Sequence, residues 1–123
     1  MTIAEAIAKV DEIKPNQYDA REKIGWLSTL DGLIKNEVID SHMGSDEVSF
    51  ACYTKDTPLT TVLLVPEPYS SLYIDYLAMK IDYNNNEIDR YNNSMNMFNN
   101  SYYAFQSFYN RTHMPKNKGK FKY

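Results

Sequence analysis

Side chains able to do chemistry are few and scattered along this chain. Histidine occurs twice, at His42 and His113, and cysteine once, at Cys52. Asp40 and His42 stand two apart at the expected end of a helix, a spacing that holds a metal ion only if further ligands come from elsewhere. Cys52 has no activating neighbour in the sequence and reads as a buried thiol rather than a nucleophile. A lone cysteine also excludes an intramolecular disulfide and a cysteine zinc cluster. Asp75, Asp82 and Asp89 recur every seven residues and look like a face of paired carboxylates. On a helix they lie about 10 Å apart, too far for neighbours to share one metal, and a solvated face explains them. There is no phosphate-binding glycine loop and no G-x-S-x-G elbow. We therefore expect no catalytic residue, no metal and no cofactor.

What is left to explain is architecture, and it is organised around residues 74 to 109. Ile74, Leu77, Ile81, Asn84, Ile88, Tyr91, Met95, Phe98, Tyr102, Phe105 and Tyr109 follow one another in alternating steps of three and four. A 3.5-residue period held this long predicts a helix with one apolar stripe, packed either in the chain's own core or against another copy. On the opposite face Asn85-Asn86, Asn92-Asn93 and Asn99-Asn100 recur at intervals of seven. Asparagine is a weak helix former, so packing must hold this helix. Neutral amides also suit a wet protein interface, because they donate and accept without the desolvation cost of a charge. Some forty helical residues would span roughly 60 Å, against a radius of gyration near 14 Å for a compact chain of this size. The helix must project or bend. Asn84-Asn85-Asn86 is its weakest point, and the unbroken register predicts a kink there rather than a reversal.

The earlier elements are shorter. Thr2 and Glu5 fit a capping box ahead of Ile3, Ile7 and Val10, and Pro15 follows, which predicts a helix over about Ile3 to Ile13. Asn16 is the expected N-cap of a second helix, whose stripe runs Ile24, Leu27, Leu30, Ile34 and Val38 and ends near Ile39 or Asp40. Gly25 and Gly32, seven apart on one side, would permit close approach of a neighbouring helix. Between about residues 46 and 65 the pattern changes to short β-branched runs around Thr54–Pro58, which predicts a β-hairpin or extended insertion. The expected fold is mainly α: a three-to-four-helix bundle with a long C-terminal helix, forming one domain over residues 1–115 and a basic, flexible tail over 116–123.

Composition adds two features. Eleven Tyr and five Phe in a 123-residue chain crowd after Pro68 and favour partly wet contacts. The net charge of −3 hides a split: residues 1–110 carry sixteen acids against eight bases, a net of −8, whereas Arg111 onward carries five bases and no acid. An acidic body with a basic tail allows the tail of one copy to dock on the next. A solvated terminus and contact with a nucleic-acid backbone are the other readings of the same charges. No apolar run is long enough to cross a membrane and no secretory leader is evident, so we expect a protein made and used without export.

Three stretches together resemble a known family. They are Lys23-Ile24-Gly25-Trp26-Leu27-Ser28-Thr29-Leu30-Asp31-Gly32 with Asn36-Glu37-Val38-Ile39; Leu64-Val65-Pro66-Glu67-Pro68-Tyr69 with Leu72-Tyr73; and Tyr91-Asn92-Asn93-Ser94-Met95 through Phe98-Asn99 to Tyr109-Asn110-Arg111-Thr112. From about Ile13 to Pro115 the chain resembles the head–tail connector proteins of tailed phages and prophages, also called adaptor or head-completion proteins. That resemblance implies small, mainly helical subunits forming a homo-oligomeric ring that touches the portal protein and tail-side connectors. DNA would pass through without sequence-specific binding. It implies assembly in the host cytoplasm, residence at the virion head–tail junction, and no catalytic residue to carry over. An acidic body is compatible with a channel wall along which DNA slides. The candidate subunit interface is Tyr102, Phe105, Tyr109 and Arg111 with Lys116, Lys118, Lys120 and Lys122. The alternative is a small helical regulator, encoded by a phage or prophage, that binds another protein.

Overall fold

The computed structural model describes residues 1–116 and is mainly helical. Helix α1 spans Ile3–Ile13, as its spacing predicts. The Thr2 hydroxyl accepts the Glu5 N–H at 3.1 Å, and the Glu5 carboxylate accepts the Thr2 N–H at 2.9 Å, closing the capping box. The Ile3 and Ala4 N–H groups donate to the carbonyls of Thr61 and Leu59, each at 3.0 Å. A distant loop thus completes the helix end.

Helix α2 spans Ala20–Ile34 and continues through one wider π-type turn, Lys35–Ile39. Its N-cap is Asp19, whose carboxylate accepts the Glu22 N–H at 2.9 Å; the expected cap, Asn16, instead accepts the Tyr18 N–H at 3.0 Å in a local turn. The Tyr18 ring packs edge-on against Trp26 with centroids 5.7 Å apart, and its hydroxyl donates to the Asn85 side chain at 2.7 Å. The expected close approach at the α2 glycines does not occur. A Cβ on Gly25 would meet nothing within 4 Å, and on Gly32 only the Phe50 ring at 3.7 Å.

The long C-terminal helix proves to be two. Helix α3 spans Ser71–Asn84 and helix α4 Ile88–Thr112, and Asn86 between them takes a left-handed backbone with φ of 58°. Asparagine tolerates that region better than other non-glycine residues. The chain therefore reverses where a kink was expected. Tyr83 meets Tyr91 at 5.5 Å between centroids and Tyr76 meets Phe98 at 5.2 Å. Further on, Ser101 donates to Asp75 at 2.6 Å. These pairings, each stepping back on one helix as the other advances, are those of an antiparallel hairpin. Folding the seam on itself buries Leu77, Ile81, Phe98 and Phe105 together, and a continuous projecting helix would have left them without a partner.

The expected solvated face of aspartates divides in the same way. Asp82 is 1 % exposed; Lys14 donates to its two oxygens at 2.8 and 3.0 Å, and the Ser94 hydroxyl donates to it at 2.6 Å. One carboxylate thus joins the end of α1 to α3 and α4. Asp75 is half-buried and only Asp89 faces solvent.

Between the π-type turn and α3 the expected β-hairpin does not form: among the described residues there is no strand, only isolated bridges pairing Thr2 with Val62 and His42 with Pro115. Its two halves attach to different partners instead. The second half lies on the N-terminus, with the Leu63 N–H donating to the Met1 carbonyl at 2.9 Å. Both halves converge on Asp31 of α2, whose carboxylate accepts from the Tyr53 hydroxyl at 2.5 Å, the Tyr73 hydroxyl at 2.6 Å and the Leu64 N–H at 3.1 Å. Burial pushes the Asp31 carboxyl above the usual carboxylate range, outweighing the three donors that pull it down. The Tyr53 and Tyr73 hydroxyls are raised by burial and by the carboxylate beside them.

Candidate functional site

Of the residues marked for chemistry only the two histidines come together, with the His42 and His113 ring centroids 6.3 Å apart. Asp40 is paired with Lys35, whereas the buried His42 ring lies between the Val38 carbonyl, 2.6 Å from Nδ1, and the Asn110 side chain, 2.8 Å from Nε2. The carbonyl only accepts, so Nδ1 donates, and His42 is engaged as a clip between α2 and α4. Among the described residues no three His, Cys, Asp or Glu side chains are grouped to hold a metal ion. Asp31 is fully buried and its three donors come from the chain itself. Cys52, expected to be buried, is exposed, because its loop turns Tyr53 rather than the thiol toward Asp31.

The candidate interface residues separate into three groups. Phe105 is 1 % exposed and Tyr109 8 %, so both belong to the protomer's own core. The Tyr109 ring stacks on His113 at 3.8 Å and meets His42 edge-on at 4.9 Å. Burial also raises the Tyr109 hydroxyl. Tyr102 is half-buried, its ring against Phe98 at 5.6 Å; its hydroxyl is buried without a partner among the described residues and is raised by burial. Arg111 and Lys116 are exposed. The Lys116 N–H donates to the Ser41 carbonyl at 3.1 Å, so the start of the expected tail lies against the body. Lys118, Lys120 and Lys122 lie outside the described residues.

The surface that stands out is the other side of α4. From Tyr91 to Asn110, twenty consecutive residues, there is no acidic or basic side chain. On a 3.6-residue helix Asn93, Asn96, Asn100 and Tyr103 fall on the side opposite Phe98 and Phe105, and all four are exposed. Met97 and Tyr103 remain 58 % and 71 % exposed there. A solvated helix face ordinarily carries charges in i,i+4 pairs; this one carries amides, an aromatic ring and a thioether. Such a strip can bury itself against another surface without stranding a charge. The asparagine repeat signalled it in the sequence, and the reversal at Asn86 decides that it faces outward from a two-helix hairpin.

Comparison of the chain with known protein families, with curated proteins and with solved structures finds no match. Among the described residues no helix is long and apolar enough to cross a membrane.

Proposed function

We propose that this chain is a structural assembly subunit, a head–tail connector of tailed phages or prophages, that packs into a homo-oligomeric ring between portal and tail. The observation that carries the reading is the charge-free outer face of α4. The resemblance of the three sequence stretches supplies the setting: assembly in the host cytoplasm, a place at the virion head–tail junction, and portal and tail-side connector proteins as partners. DNA passes without sequence-specific contact, and the subunit performs no catalysis and needs no cofactor.

The dimensions bear on how such an assembly would form. A 25-residue helix is roughly 37 Å long, and a strip about 10 Å wide along it falls short of the ~800 Å² per partner of a standard stable interface. Pairwise contact through α4 alone is therefore weak. Closure of a ring, in which each copy makes two contacts, or a portal acting as template would stabilise it.

Light scattering of the full chain across concentration, at low and high salt, tests the reading. We expect a ring-sized species at high concentration. The double variant Asn96→Lys with Tyr103→Lys should shift self-association to at least about tenfold higher concentration, since it forces two charges into the contact. A wild-type chain that stays monomeric and fails to bind a portal ring in a pull-down would remove the connector reading and leave the regulator.

A further inference from the structure

We propose that helix α4 of one copy lies antiparallel along the outer face of helix α2 of the next, with Tyr103 on the bare backbone at Gly32 and Arg111 opposite Glu22. The proposal rests on the self-assembly reading and names the surface that receives the charge-free face of α4.

Helix α2 presents a second outward face without charge. From Ile24 to Ile34 its one charged residue is Asp31, which is fully buried. On a 3.6-residue helix Gly25, Trp26, Thr29, Gly32 and Leu33 fall on the side away from Leu27 and Ile34. Gly25 and Thr29 are exposed, Leu33 is 44 % exposed, and Trp26 and Gly32 are half-buried. Gly25 and Gly32 lie along one side of this face, where an added Cβ would meet nothing or only the Phe50 ring. Trp26 and Leu33 form a raised apolar edge along the other side. The Thr29 hydroxyl between them donates to the Gly25 carbonyl at 3.1 Å and can still accept from an incoming amide. Glycine inside a helix is less stable than alanine, and among the described residues nothing packs into the space left at Gly25.

The outer face of α4 has the complementary relief and the complementary charge. About a centre line through Asn93 and Asn100, Tyr103 projects on one side and the small Ala104 lies on the other. Helices that face each other antiparallel bring sides of the same hand together, so Tyr103 meets the glycine side of α2 and Ala104 meets the Trp26–Leu33 edge, large on small in both cases. A parallel arrangement would set Tyr103 against Trp26 and Leu33. With Ala104 level with Thr29, Arg111 and Glu22 each stand seven residues, about 10.5 Å, further along and come opposite one another. Both are exposed, and among the described residues neither has an ionic partner. At the other end Asp89 and Arg90 fall past the Lys35–Ile39 turn, clear of the α2 face.

The partner is a second copy because one protomer carries both faces, each turned away from its own core. Helix α4 packs on α3, and α2 packs on α1 and α3, so the two outer faces cannot meet within one chain. Joining two different faces leaves every copy with one face of each kind for its two neighbours, the head-to-tail contact that closes into a ring when the rotation allows. The contact also exceeds the α4 strip alone. Bare backbone at Gly32 lets the helix axes approach toward the lower end of the usual ~8–10 Å, which brings Trp26 and Leu33 onto the flank of α4.

Cross-linking of the full chain tests the register. T29C/A104C on a C52S background is oxidised mildly and resolved by non-reducing electrophoresis, with the linkage mapped by mass spectrometry of tryptic peptides. We expect a ladder of multimers joined between position 29 of one copy and position 104 of another. It should form at least about tenfold faster than any species from either single-cysteine variant, because docking raises the local thiol concentration. Light scattering of E22R and of R111E should show half-assembly at a concentration at least about threefold higher, and E22R/R111E should return it to the wild-type value. Reversals that fail to rescue each other would overturn the antiparallel register. Covalent dimers from A104C alone would show α4 packed on α4, which sinks the α2 contact and leaves the α4 face standing. Assemblies of the reduced protein that never yield the mapped linkage on oxidation have the same consequence. A chain that is monomeric throughout and yields no linkage overturns the α2 contact, and the portal pull-down then decides the connector reading separately.

Discussion

Helices α2 and α4 invert the usual distribution of polar groups. Helix α2 buries charges: Lys23 is 2 % exposed and Asp31 is fully buried. Each is satisfied within the chain, Lys23 by donating to Asp11 at 2.7 Å and to the Tyr18 carbonyl at 2.8 Å, and Asp31 by accepting from both halves of the connecting segment. Helix α4 does the opposite. Its buried side is aromatic and its exposed side is neutral amide, with charges only at its ends, at Asp89, Arg90 and Arg111. The difference separates two jobs. A buried charge with all its partners fixes one arrangement of the chain on itself, because every alternative strands it. A neutral exposed face fixes nothing internally and keeps the cost of covering it low.

The sharpest break in this comparison is Asp31→Ala. It leaves two tyrosine hydroxyls and the Leu64 N–H without their acceptor, and we expect a loss of about 3–5 kcal/mol in urea denaturation. Removing the buried Phe105 ring from the other helix, as Phe105→Ala, should cost a similar ~3–5 kcal/mol by cavity formation. The two variants should differ in pH response. The Asp31 carboxyl is raised by burial in the folded protein. Its contribution is therefore fully present below the ordinary carboxylate value and is lost as pH rises through the raised one. Wild-type stability measured relative to Asp31→Asn should accordingly fall from acid toward neutral pH, whereas stability relative to Phe105→Ala should stay level over that range.

A smaller effect, about 1 kcal/mol, is expected from Ser94→Ala, which removes a hydroxyl donor from the buried Asp82 while Lys14 remains. The smallest is Asn86→Gly at the left-handed reversal, expected to move the urea midpoint within the equivalent of about ±0.5 kcal/mol. Lysines placed on the outer face of α4 should leave these midpoints in place and act on association alone. If they unfold the chain, that face is part of the core and the contrast between the two helices fails.

Much of this was present in the order of residues. The capping box at Thr2 and Glu5, the extent of α1 and the end of the second helical stretch near Ile39 follow from short-range hydrogen bonding and steric rules acting within a few residues. So does the seam from Ile74 to Tyr109, whose period marks which side chains must be covered. Periodicity carries no record of what covers them. An unbroken heptad register is equally compatible with a straight helix against another copy and with a hairpin closed on itself. A left-handed residue at Asn86, which the triple asparagine only hinted at, decided for the hairpin and made Phe105 and Tyr109 core residues. The aspartates at 75 and 82 looked solvated for the same reason: their partners Ser101 and Ser94 are neighbours only after the reversal. Cys52 and the absent hairpin were settled by Asp31, a single acid in an apolar stripe. Its three donors come from residues between 53 and 73, and no local pattern joins positions so far apart. The chain's own order determined which segments are helical and which faces are apolar; tertiary structure alone decided which face meets which, because pairing depends on where the backbone turns and on buried polar groups finding distant partners.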